Sequence, residues 1–102
     1  MDFKTFKDSI AEPQPPAGLT AALEGLWWDA KGDWDKAHEC AQERDDGAGM
    51  HVHAYLHRKE GDPSNAGYWY RRAGAPPSTL TLEAEWEELA RALLAQAGPR
   101  GA

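Results

Sequence analysis

Hydrophobic residues recur along this chain at helical spacing. Leu19, Ala22, Leu23, Leu26, Trp27 and Ala30 stand at i, i+3, i+4, i+7, i+8 and i+11, one broad apolar stripe that predicts a helix from Leu19. Gly32 suits a left-handed stop, and Asp33 is placed to cap a second helix with inward positions Trp34, Ala37, Cys40 and Ala41. The run DDGAG predicts another break. A third helix over MHVHAYLHRKE carries Val52, Tyr55 and Leu56 on one face and closes at Gly61. In GDPSNAGYWYRRAG, Asp62 caps a fourth helix, Pro63 takes the first turn where its missing N–H costs nothing, and Gly74 terminates. Its inward stripe is Ala66, Trp69, Tyr70 and Ala73. After APPSTLT, a fifth helix sets Leu82, Trp86, Leu89 and Leu93 at i, i+4, i+7 and i+11. Its acids come early and Arg91 late, as the helix dipole prefers, and Glu87 pairs with Arg91 four residues on.

Two of these units repeat. Placing Gly61–Asp62 on Gly32–Asp33, 29 residues earlier, aligns Ala66 with Ala37, Trp69 with Cys40, Tyr70 with Ala41 and Leu56 with Trp27. The early alanine has a physical reason: a methyl lets two antiparallel helices approach closely while rings fill the ends of the seam. The predicted fold is therefore all-α, two antiparallel helical hairpins plus a C-terminal capping helix that covers the last hairpin. Residues 19–97 form one domain, and residues 98–102 a frayed tail. Residues 1–18 form an arm and Pro-rich linker. Phe3, Phe6 and Ile10 fall at helix-like spacing before EPQPPAG, so the arm either docks on the body or on a neighbouring chain, or stays disordered.

A helix, a tight Gly-Asp turn and a second helix with a small residue early and a large one a turn later resembles the tetratricopeptide and Sel1-like repeats. The segments KGDWDKAHECA and EGDPSNAGYWYRRAGAP carry the likeness, over roughly residues 20–77. The 29-residue offset is shorter than tetratricopeptide spacing, and only two units are visible. The resemblance implies a tetratricopeptide-like scaffold whose first helices line a concave face, offering Trp28, Lys31, His51 and Arg58 with His57 nearby. The segment HAYLHRKEGD with NA and YWYRRAG after it is also similar to small uncharacterised bacterial and fungal proteins, a likeness that brings no activity.

Charge and cysteine usage narrow the class. Seventeen acidic against eleven basic residues give a net charge of −6, and no Lys/Arg stripe is available to neutralise a phosphate backbone, so nucleic acid is not an expected partner. The mean hydropathy of −0.73 and the lack of a long apolar run argue against a membrane span. A single Cys40 cannot close an internal disulfide, and MDFKTFKDSIAEP lacks an export signal, so a cytoplasmic setting is expected. Cys40 itself is expected as a buried small hydrophobe. The acidic runs at 45–46 and 83–88 are expected to be solvated faces and helix-end charges.

The histidines carry the candidate chemistry. His53 and His57 are four apart and share a helix face with Glu60, with His51 roughly opposite. Such a pair usually forms a hydrogen-bonded seam beside a core. It is also the start of a metal site, to which His38 could add a third ligand. Ala54 follows His53, so the glutamate of an H-E-x-x-H metallohydrolase is missing. Cys40 and His38 are two apart on one helix and point away from each other, which argues against a nucleophile–base pair. The favoured function is a binding or scaffold protein for a peptide, a protein or a second copy of itself, with no cofactor. The alternative is a metal-binding protein or metal-dependent enzyme using the His53 and His57 face.

Overall fold

In a computed structural model, which describes residues 1–44 and 46–97, the chain is all-helical. Its helices are α1 (Phe3–Ser9), α2 (Ala21–Ala30), α3 (Trp34–Gln42), α4 (Gly47–Glu60), α5 (Pro63–Ala73) and α6 (Leu82–Ala97). The frayed tail expected at 98–102 lies outside the described residues.

The turn chemistry explains the boundaries. After α2, the Gly32 amide donates to Asp29 O and the Asp33 amide to Trp28 O; after α4, the Gly61 amide donates to Arg58 O and the Asp62 amide to His57 O. These are the two bonds of one left-handed helix stop, made twice at the same 29-residue offset. Gly61 sits at φ +89°, where any side chain would strain the backbone. Asp33 Oδ1 then accepts from the Lys36 amide and Asp62 Oδ1 from the Asn65 amide, each at 3.1 Å, starting the second helix of each pair.

Helix α2 packs on α3, and α4 on α5, with α3 joining α4 between the pairs. The alanines of the repeat do what their size suggests: Ala37 and Ala66 are buried. Approach is close at Gly25 of α2, where an added Cβ would lie 3.2 Å from Ala37 O and 3.4 Å from Val52 Cγ1.

Four features depart from or extend the sequence expectation. Helix α4 begins at Gly47, inside the stretch expected to be a break, because Asp46 Oδ1 accepts from the Gly49 amide at 2.8 Å. The arm docks on the body of its own chain: Phe6 is fully buried, stacks on Trp86 and lies under α6, while Trp27 Nε1 donates to Ser9 Oγ at 3.1 Å. Helix α6 lies across α2 and α4, the first helices of the two pairs, and α5 reaches it through the Tyr70 hydroxyl. Trp86 Nε1 fixes the crossing by donating to Leu26 O at 2.9 Å.

The fourth concerns charge. Glu85, expected on a solvated face, is 1% exposed. Arg58 Nη1 donates to Glu85 Oε1 at 2.7 Å, and the Tyr70 hydroxyl donates to the other carboxylate oxygen. Asp29 is buried in the same manner, accepting from Tyr55 at 3.0 Å and from Lys59 at 2.7 Å. A buried carboxylate is tolerable only when its oxygens are answered, and both of these are. The Tyr70 and Tyr55 hydroxyls are held protonated well above their ordinary range by burial and by these carboxylates.

Removing one member strands the other, so Glu85→Ala is expected to lose about 3 kcal/mol in urea denaturation. A loss under about 1 kcal/mol, the range of exposed ion pairs, would contradict the buried role given to Glu85.

Candidate metal centre

Helix α4 is surrounded by α2, α3, α5 and α6, and Val52, His53, Ala54, Tyr55, Leu56 and His57 are all buried in succession. Over these six residues the helix has no solvent face on which to place polar side chains. The i, i+4 pair His53 and His57 therefore points into protein, toward α3. There it meets His38, half-buried on α3.

The three imidazoles converge. His53 Nε2 and His38 Nε2 are 2.7 Å apart, a hydrogen bond in which one ring donates and the other accepts. One ring nitrogen from each of His38, His53 and His57 lies within 4.8 Å of the others. The His53 and His57 rings are stacked with centroids 4.7 Å apart, and His38 meets them edge-on at 4.4 and 5.4 Å. Two tryptophans wall the cluster: Trp34 stacks on His38 at 4.6 Å and Trp69 on His53 at 4.0 Å. The Arg72 guanidinium lies 5.1 Å over the outer side of this group, at Trp69.

Electrostatics follow from burial. Desolvation, then the neighbouring His38 and His57, pushes His53 down to about 4, so it is neutral near pH 7. Desolvation lowers His38 as well. Neutral imidazole is the form that ligates metal ions. Among the described residues, the buried side-chain nitrogens and oxygens with no hydrogen-bond partner are His57 Nδ1 and Trp34 Nε1, and both belong to this cluster. Glu60 stands behind His57, with Oε2 3.5 Å from Nδ1, and Asp62 completes a second, more open group of possible ligands there.

The residues expected to form a concave binding face lie apart from this cluster, His57 excepted. Lys31 is tied to the arm, its ammonium donating to Ile10 O at 2.8 Å and Glu12 O at 2.9 Å. Arg58 is held by Glu85 and Leu80 O. Trp28 is half-buried beneath Lys36 Nζ, 4.1 Å from its ring. His51 lies beside Tyr70 at 5.7 Å, its pKa lowered by burial. His57 alone of the five belongs to the imidazole cluster.

Sequence reasoning found His53, His57 and the possibility of His38 but missed the tryptophan walls. A signal for one of them exists, since Trp34 and His38 are themselves i, i+4 and so share a face of α3. Comparison with protein-family models, curated proteins and solved structures finds no match to this chain.

Cys40 is half-buried rather than enclosed and takes no part in the cluster. Desolvation, then Glu24, Glu43 and Glu39, pushes its thiol up to about 11. At pH 8 only about one thiol in a thousand is then ionised, so alkylation by iodoacetamide is expected to run roughly a hundredfold slower than for a free cysteine. A rate equal to that of the free amino acid would contradict this environment.

Proposed function

We propose that the protein binds a divalent transition-metal ion through His38, His53 and His57. The carrying observation is the convergence of three imidazoles from two helices, with one ring nitrogen of each within 4.8 Å of the others. One ion can take a nitrogen from each of the three rings at once, a shared partner that packing alone does not provide. A metal ion accounts for the cluster as a whole.

The donor set selects the class of ion. Three neutral nitrogens without a thiolate suit zinc, copper, iron or nickel, whereas calcium and magnesium require oxygen. Nitrogens around a tetrahedral zinc at ~2.0–2.1 Å stand ~3.3 Å apart. The 2.7 Å contact between His38 and His53 would therefore open by roughly half an ångström, within reach of side-chain rotation. Glu60 is placed to accept a hydrogen bond from His57 Nδ1–H and so present the other ring nitrogen to the ion, the usual carboxylate support of a ligating histidine.

A scaffold for a protein, peptide or second copy has less behind it. The side of α2 and α4 that a tetratricopeptide-like groove would leave open is covered by the chain's own α6. Lys31 and Arg58 are engaged internally.

Protein purified without a histidine tag and stripped by chelator should bind one zinc per chain in a competition titration. His53→Ala or His38→Ala should weaken binding by more than the ~10–100-fold typical of losing an outer partner. Wild-type protein that takes up no zinc, or zinc binding indifferent to His53, would overturn the proposal.

A further inference from the structure

The tri-imidazole reading leaves one coordination position undefined, and the protein around the cluster indicates what fills it. A tetrahedral ion held by three protein ligands needs a fourth. Nothing in the described part of the chain supplies it: the three-residue groups hold either the histidines alone or His57 with Glu60 and Asp62, and Cys40 belongs to neither. Glu60 is taken up behind His57, on its Nδ1 side.

Trp34 adds an unpaired donor to the edge of the cluster. Its ring stacks on His38 and stands 6.4 Å from His57 at 67°, so it borders two of the three ligands at once. Its indole nitrogen is buried and has no acceptor. The other indole nitrogens with described bonds do have one: Trp27 donates to Ser9, and Trp86 to Leu26 O. A buried N–H donor without an acceptor, on a ring that touches two of the ligands, is the complement of a small anion, which would take a metal bond on one side and a hydrogen bond on the other. Three neutral imidazoles leave the charge of the ion uncompensated, which favours an anionic fourth ligand further.

We infer that the fourth position is open to exchange and takes a small monoanion that accepts a hydrogen bond from Trp34 Nε1. This inference rests on the metal reading of the same cluster. In water the position holds solvent, and the anion enters by displacing it. Trp34 and Trp69 stack on two of the three ligands, so indole rings border the centre. Such a centre has three fixed ligands and one exchangeable position, the arrangement that metal-assisted chemistry requires.

The test uses the full chain loaded with cobalt(II), whose visible bands report coordination, and sodium azide as the anion. Cobalt should bind one per chain, azide should shift the bands saturably, and in the cobalt-loaded protein Trp34→Phe, which keeps a ring against His38, should weaken azide by about tenfold. Cobalt bound with bands that azide does not move would overturn the open position and leave the metal centre standing. Failure to bind cobalt at all would remove both. Equal azide affinity in wild type and Trp34→Phe would remove the role given to the indole; the wild-type titration needs no variant to fold.

Discussion

The structure depends on the burial of the middle of α4, from Val52 to His57, on all sides. Helices α2, α3, α5 and α6 each pack against it, so its side chains must satisfy four neighbours at once. Most helices of small domains bury one stripe and wet the other. Here Val52, Tyr55 and Leu56 supply the apolar packing, and the remaining buried positions still include His53 and His57. Polar groups in such a helix survive only where a partner answers them.

That requirement organises the rest of the molecule. Tyr55 answers buried Asp29 together with Lys59, and Arg58 answers buried Glu85 together with Tyr70. The first set ties α2 to α4, while Glu85 bound to Arg58 of α4 and Trp86 bound to Leu26 O hold α6 across both, and the arm closes over the junction through Phe6 and Trp27. The side of α4 facing α3 is different. There three imidazoles answer one another incompletely, and the orphaned nitrogens lie among them and on the adjoining Trp34. Among the described residues, the buried carboxylates are paired and the two unpaired buried nitrogens are gathered at this one place.

Much of the fold was legible because its signals are local. Gly32–Asp33 and Gly61–Asp62 state their turns in two residues each, and the stripes of α2, α3, α5 and α6 follow the 3.6-residue period. The all-helical class came from those signals alone. Less legible was anything that depends on what lies opposite a helix. The glycines at 47 and 49 read as a break, although Asp46 caps a helix there and Gly49 leaves no room for a Cβ, with Ala41 O at 2.7 Å and Arg44 O at 2.8 Å from where one would sit. Glu85 read as solvated because its acidic neighbours are, and its partners lie 27 and 15 residues away. For the site, i, i+4 spacing revealed the His53 and His57 pair. The arrival of His38 and Trp69 from other helices is a tertiary fact that no spacing rule contains.

The central claim is that burial of α4 turns its histidine pair onto His38 to make one three-nitrogen centre. Zinc K-edge X-ray absorption on the zinc-loaded chain tests it most directly. The account predicts a first shell of four light atoms at ~2.0–2.1 Å with the multiple scattering of three imidazoles. A first shell containing sulfur, or only one imidazole, would contradict it.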